Sequence, residues 1–323
     1  MLILSAKDQK KLADMNEVME CAELALKEFS AFKTQTPIRL SLPFGEENTG
    51  LVMPSVAEGL KTMGLKYVTV VPNNKENEKM IQGVVLLSDI ETGKPLALLE
   101  GSYLTLIRTG ALSGVATKYF AREDAKTLGI IGTGEQAKGL CEAVVAARDI
   151  EEIFVFNRSE GKAKEFAQYI GEKFGLRVTV CMDSNEVVRN ADVLVTATGS
   201  TTPVFTEALK PGTHVNAVGS FRPSMQELPS HAISSATKVI VEAEDAALEE
   251  TGDLLVPIQE GVFSESGIHA ELGKVVSGER PGRENDEEIT VFKSVGLAIA
   301  DIVVAKYLYD KAMATKAGVT VEL

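Results

Sequence analysis

A chain of 323 residues exceeds what one hydrophobic core usually supports, so two domains are expected. Its 33 Lys and Arg against 46 Asp and Glu leave a net charge of −13, which argues against nucleic acid or an anionic membrane as partner. Cys21, Cys141 and Cys181 are scattered with no C-x-x-C or zinc spacing, so they read as reduced thiols and no metal site is expected. No apolar run suits a signal peptide or a membrane span, and the expectation is a cytoplasmic protein.

The first residues read as a strand from Leu2 to Leu4, then a helix capped by Ser5. A second helix, with Asn16 as candidate cap, repeats Val18, Cys21, Ala22, Ala25, Leu26 and Phe29 at helical spacing. From Pro37 to Leu106 the pattern changes to short β-type runs at 38–42, 50–53, 64–71, 83–87 and 96–99. Turn clusters such as Gly45-Glu-Glu-Asn, Pro72-Asn-Asn and Glu91-Thr-Gly-Lys-Pro separate them. With no strand–helix alternation, this stretch predicts a sheet domain of its own. A helix over 104–119, with small residues Ala111, Ser113, Gly114 and Ala116, is expected to bridge it to the next domain.

That next domain starts at Thr127-Leu-Gly-Ile-Ile-Gly132-Thr-Gly134-Glu-Gln-Ala137, a G-x-G-x-x-A turn between an apolar run and a helical pattern. Gly132 suits the tight turn, Gly134 lets the backbone approach a pyrophosphate, and Ala137 lets helix and strand pack closely. Thr133, Glu135 and Gln136 fill the turn, and the helix N-terminus offers N–H groups to phosphate. Strand candidates at 128–131, 153–156, 177–180, 193–197, 214–218 and 238–241 alternate with helical patterns at 135–147, 160–174 and 184–190. This predicts a doubly wound parallel sheet, a Rossmann domain. An apolar-periodic segment at 289–309 is expected first to cap this domain and then to return to the first one. The last residues, 318–323, read as loose chain or an edge strand.

The second strand of this set ends in Asn157-Arg158-Ser159, with no carboxylate to accept the ribose hydroxyls of NAD. Asn157 and Ser159 can bond a 2′-phosphate and Arg158 supplies charge, which favours NADP(H) with NAD(H) tolerated. Thr198 follows the fourth strand, beside the expected course of the dinucleotide. Arg39, Lys66 and Arg108 each sit in apolar surroundings. Singly, each could point to solvent; three together suggest a carboxylate-binding pocket. His214, His231 and His269 form no metal cluster or catalytic triad, and no His acid for ketone reduction is evident. An imine needs no such acid in the same way, because a protonated iminium is already electrophilic at carbon.

Pro37-Ile-Arg39, Gly64-Leu-Lys66, Ser88-Asp-Ile-Glu-Thr-Gly-Lys-Pro95, Leu106-Ile-Arg108-Thr-Gly-Ala-Leu-Ser113, Gly132-Thr-Gly-Glu-Gln136, Ala217-Val-Gly-Ser-Phe-Arg-Pro223 and Gly282-Arg-Glu-Asn285 with Thr290-Val-Phe-Lys-Ser-Val-Gly296 together resemble the ornithine cyclodeaminase/mu-crystallin family, in order over nearly the whole chain. The resemblance implies a substrate and dimerisation domain from residues 1–118 and 300–323, and an NAD(P)-binding domain from 119–299. It implies a substrate carboxylate held by Arg39, Lys66 and Arg108, with Lys66 in the catalytic role and Arg108 also near the cofactor. Val218, Gly219 and Ser220 would lie along the cofactor, and Ser294 and Val295 near nicotinamide or substrate.

Where cyclodeaminases and alanine-dehydrogenase-like members of the family carry an aspartate, this chain has Phe221, which can do no acid–base work but can wall a small ring. The run Gly219-Ser-Phe-Arg-Pro-Ser-Met-Gln-Glu227 resembles instead the members that reduce cyclic ketimines. The implied activity is NAD(P)H-dependent reduction of Δ1-pyrroline-2-carboxylate, and of its six-membered piperideine homologue, to L-proline and L-pipecolate, within trans-3-hydroxy-L-proline breakdown and in a homodimer. Ornithine cyclodeamination, reductive amination of a 2-oxo acid, and cofactor binding without turnover are the alternatives.

Overall fold

The computed structural model describes residues 1–72, 74 and 78–322. Asn73, in the expected Pro72-Asn-Asn turn, and the terminal Leu323 lie outside the described residues. The chain forms two compact units, one from Met1–Arg108 and Leu297–Leu323, the other Thr109–Gly296.

The first unit is built on one sheet. Its strands are β1 (Leu2–Leu4), β2 (Thr34–Gln35), β3 (Leu40–Phe44), β4 (Asn48–Ala57), β5 (Thr62–Val70), β6 (Ile81–Ser88), β7 (Pro95–Glu100) and, from the chain end, β16 (Val319–Thr320). The order is β16-β1-β7-β6-β5-β4-β2, with β3 paired to β4. All neighbours run antiparallel except β1 and β7, which are parallel. Helix α1 (Ala6–Leu12) has the expected Ser5 cap, completed into a capping box by Asp8. Helix α2 (Met15–Ser30) is capped by Asp14 and not by Asn16: the Asp14 carboxylate accepts from the N–H groups of Asn16 and Glu17. Both residues are good caps, and the one two positions earlier reaches two orphan donors.

Helix α11 (Ala298–Thr315) packs on β4, β5, β6 and α2. It comes unusually close to β5, because a Cβ on Gly64 would stand 2.8 Å from the Ile302 side chain. Glycine is required there by space. The long helix α3 (Gly101–Phe120) starts in this unit and continues into the other, the division falling between Arg108 and Thr109.

The second unit holds a parallel sheet of β8 (Thr127–Ile131), β9 (Glu152–Phe156), β10 (Arg177–Val180), β11 (Val193–Thr196), β12 (His214–Ala217), β13 (Lys238–Val241), β14 (Ile268–Glu271) and β15 (Thr290–Lys293). The order is β10-β9-β8-β11-β12-β15-β13-β14. Helices α4 (Glu135–Ala147), α5 (Glu160–Phe174) and α6 (Ser184–Asn190) are the crossovers, followed by α7 (Ser230–Ser234), α8 (Glu244–Glu250), α9 (Gly252–Gln259) and α10 (Leu272–Val276). Alternate strand residues feed two apolar clusters, Val193 and Val195 in one and Leu194 in the other, as a sheet covered on both faces requires.

The six strands expected here are all present. Two more are not evident in the sequence pattern, β14 and β15. The segment 289–309 begins as a strand, not as a helical cap: β15 lies between β12 and β13, and the helix starts only at Ala298. A short apolar run does not distinguish strand from buried helix, and Gly296, at φ 104, breaks the pattern between them. Among the described residues no helix is long and apolar enough to cross a membrane, and no group of three or more His, Cys, Asp or Glu could hold a metal ion.

Candidate active site

At the glycine turn the chain leaves β8 and enters α4. Gly132 has φ 95, and a Cβ there would lie 2.7 Å from the Ala197 carbonyl oxygen. Gly134 caps α4, and a Cβ on it would meet nothing within 4 Å. The backbone is thus open on the side from which a pyrophosphate approaches. Thr133 Oγ1 and Gln136 Oε1 are buried without a hydrogen-bond partner, and Glu135 is drawn aside by Lys138 at 2.6 Å. A hydroxyl to donate, free N–H groups at a helix N-terminus and an unfilled cradle fit a dinucleotide.

Asn157-Arg158-Ser159 follows β9. Asn157 Nδ2 donates to the Ser159 carbonyl at 3.2 Å, and Ser159 caps α5 by accepting from the Lys162 N–H. The capping hydroxyl keeps its own proton to donate. Arg158 is exposed.

Two buried carboxylates that sequence reasoning missed fix the carboxyl ends of the central strands. Glu227 accepts from Thr198 N–H at 2.6 Å, Gly219 N–H at 2.6 Å and Thr196 Oγ1 at 3.0 Å. It thereby ties the exits of β11 and β12 together, and a Cβ on Gly219 would collide with Thr198 and with Glu227 itself. Burial, with Asp253 nearby, pushes the Glu227 carboxyl upward. Asp253 in turn accepts from the backbone N–H of Glu227 and Leu228 and from Lys293, a fully buried pair at 2.9 Å. The second carboxylate, Glu242, follows β13. It accepts from Ser294 Oγ at 3.0 Å, Val295 N–H at 2.6 Å and Gly296 N–H, holding the turn after β15. Ser220 Oγ donates to the Met225 carbonyl at 2.6 Å. Phe221, half-buried after Val218-Gly219-Ser220, has the Arg222 guanidinium 5.5 Å from its ring centre. The sequence sign of Glu242 was an acid at an apolar strand exit, visible but not specific, and Glu227 lies in the loop between β12 and α7.

In the first unit Lys66 and Arg108 come together. Lys66, on β5, follows the inward-facing row of that strand and is 1% exposed; Arg108, on α3, is 5% exposed. Lys66 Nζ and Arg108 Nε both donate to Oδ1 of Asp301 on α11, each at 2.9 Å. Asp301 is fully buried, and its Oδ2 has no hydrogen-bond partner. Gly64, one inward residue before Lys66, lets α11 approach closely enough for this. Arg39, on irregular chain just before β3, is half-buried and near enough to act on the Lys66 charge. Burial, then Arg108, pulls the Lys66 ammonium down to about 8, against the opposing pull of Asp301. Two cations thus share one carboxylate oxygen, and Arg39 acts on the Lys66 charge, a cationic setting suited to a carboxylate ligand. Asp301 was missed in the sequence, although a lone acid in an apolar helix was as conspicuous as the cations were.

The remaining motif, Gly282-Arg-Glu-Asn285, does structural work. Arg283 donates to the carbonyls of Phe120, Asn285, Glu288 and Gly212, at the amino ends of β12 and β15. His214 is buried there, its Nδ1 2.9 Å from Thr290 Oγ1, and burial with the Arg283 charge pulls it down to about 3. His231 and His269 each meet a backbone carbonyl, of Glu207 and Pro281. The three cysteines are free.

Residues 1–316 match the model of the ornithine cyclodeaminase/mu-crystallin family. A Δ(1)-pyrroline-2-carboxylate reductase of Bacillus cereus is 66% identical over 324 residues, covering 100% of both chains. The structure of the Thermococcus litoralis Δ(1)-pyrroline-2-carboxylate reductase in complex with NADH and L-proline superposes with a TM-score of 0.96 at 40% identity, covering 99% of this chain and 100% of that one. An archaeal alanine dehydrogenase dimer with bound NAD gives a TM-score of 0.92 at 35% identity, covering 100% and 99%.

Proposed function

The chain belongs to the ornithine cyclodeaminase/mu-crystallin family, and we propose that it reduces a cyclic ketimine, Δ1-pyrroline-2-carboxylate, to L-proline at the expense of NAD(P)H. The observation that carries this reading is the buried group of Lys66 and Arg108 on one oxygen of Asp301, with Arg39 nearby. Dinucleotide binding alone needs no such group; a substrate carboxylate does.

In this reading Arg108 and Arg39 anchor the carboxylate. The nicotinamide supplies the hydride that C2 of the imine accepts. Lys66, as an ammonium, gives a proton to the imine nitrogen and recovers one from solvent. Its ionisation near pH 8 suits that task. Gly132, Thr133, Gly134 and Gln136 receive the pyrophosphate, with Thr198, Val218, Gly219 and Ser220 along the dinucleotide. Ser294 and Val295, fixed by Glu242, serve the nicotinamide end. Phe221 walls the ring, and because it occupies the position where the cyclodeaminases carry their acid, lyase chemistry is disfavoured.

The preferred cofactor is NADPH, with NADH accepted, because Asn157, Arg158 and the Ser159 cap at the N-terminus of α5 offer charge and donors to a 2′-phosphate. The six-membered homologue is a second substrate, the setting is cytoplasmic, and trans-3-hydroxy-L-proline breakdown is the source of the imine. A homodimer is supported by an apolar row on the outer face of the sheet: Leu40, Val52, Tyr67 and Val84 stand side by side on β3 to β6. Leu42 and Phe44 extend it along β3, and all but Val52 are at least 38% exposed.

The test is NADPH oxidation with Δ1-pyrroline-2-carboxylate, with ornithine and NAD as control. L-proline formed from the imine is expected. Ammonia and proline from ornithine, with no imine reduction, would overturn the reading.

A further inference from the structure

We infer that Asp301 is the positioning residue of the proton-donating lysine: through Oδ1 it holds the Lys66 ammonium charged and fixed in place, and ties it to Arg108. This rests on the assignment of Lys66 to proton delivery made above.

The surroundings of Asp301 ask for no carboxylate. Its neighbours on α11, Ile299, Ala300, Ile302, Val303 and Val304, are all buried and apolar. A carboxylate placed among them must be matched by charge, and here one oxygen takes both cations. Asp–Arg pairs frequently use the two-pronged fork. Here only Nε of Arg108 bonds Asp301, and Oδ2 stays buried without a hydrogen-bond partner. The shared oxygen fixes the distance between the proton donor and the carboxylate anchor.

The charged groups facing Lys66 are Asp301 from α11, Arg108 from α3 and Arg39 from the chain before β3. Two repel a proton on Nζ and one attracts it. Asp301 is therefore what keeps an ammonium available in a buried position flanked by two guanidinium groups. When Lys66 gives up its proton, an N–H bond breaks on Nζ as one forms on the imine nitrogen. The electron pair stays on Nζ, and a solvent proton restores the ammonium.

The test titrates Lys66 by NMR in the full-length enzyme, with the pH dependence of kcat/KM measured alongside. Asp301→Asn keeps an oxygen for both donors but removes the charge. The Lys66 midpoint should fall by a unit or more and the alkaline limb of kcat/KM should move with it, so that activity at pH 9 falls about tenfold. KM for the dinucleotide should not change. Arg108→Gln removes a repelling charge and should move the Lys66 midpoint upward, which keeps the test open should Asp301→Asn fail to fold. A Lys66 midpoint unmoved in either folded variant overturns the inference. Wild-type enzyme that reduces no imine refutes the proposed function instead, since the NMR midpoint reads Asp301 without turnover.

Discussion

Replacing Glu242 by alanine removes one acceptor from three donors at once: Ser294 Oγ, Val295 N–H and Gly296 N–H. Glu242, Ser294 and Val295 are all buried, so water does not readily take the place of the lost carboxylate. A buried donor left unsatisfied costs about 1–3 kcal/mol, and hydrogen bonds to a charged group lie in the upper part of that range. The hydroxyl can turn to another acceptor, whereas the two backbone donors cannot. Glu242→Ala should therefore cost about 3–5 kcal/mol, or a fall in Tm of roughly 10 °C for a unit of this size. Glu242→Gln is the informative partner. Its Oε1 can still accept from Val295 and Gly296, and its amide can donate to Ser294 Oγ, which then switches role. Its loss should be about 1 kcal/mol. Calorimetry measures both, and KM for NADPH measured on the folded variants reports whether the Ser294–Val295 turn serves the cofactor. Glu242→Ala melting within 2 °C of wild type, or Glu242→Gln no better than alanine, refutes the clamp; thresholds here are about the size of one lost weak hydrogen bond.

Arg158→Ala should raise KM for NADPH by about 10- to 100-fold and leave NADH nearly unchanged, the effect of one charge-assisted phosphate contact; equal losses with both cofactors would remove Arg158 from the 2′-phosphate. Tyr67→Asp together with Leu42→Asp, on the exposed apolar row, should turn the proposed dimer into monomer by sedimentation analysis. A dimer persisting in the double variant would move the interface elsewhere. His214 is held neutral in the folded chain, with a value of about 3 against 6.5 in the unfolded one. The unfolded chain thus binds the extra proton between those values, and stability is full above pH 6.5 and lost as pH falls. From pH 6.5 to 5 wild type should lose about 2 kcal/mol more than His214→Gln, read from urea unfolding at each pH. Parallel pH curves for the two proteins would show that His214 is not the acid-sensitive group.

Local order was legible in the sequence wherever one period and one turn chemistry agreed. The parallel strands, the crossover helices and the glycine turn could be written down from apolar runs, caps and the spacing of Gly132, Gly134 and Ala137. The cations Arg39, Lys66 and Arg108 could be picked out because charge among apolar residues is conspicuous. What surrounded them could not. Asp14 rather than Asn16 caps α2, a choice between two good caps two residues apart that rests on which side-chain oxygen reaches two N–H groups. The insertion of β15 between β12 and β13 is a matter of non-local pairing, which carries no signature in an apolar run. Glu227 in a loop and Glu242 after a strand look in sequence like ordinary polar residues; only the fold brings each against donors from the ends of other strands. Asp301 stands 235 residues from Lys66 and 193 from Arg108. Sequence alone determined that this chain holds a dinucleotide-type turn and three cations in apolar settings. Tertiary structure decided that two of those cations share one buried oxygen, because desolvation leaves a buried charge no partner but another charge that the fold carries to it.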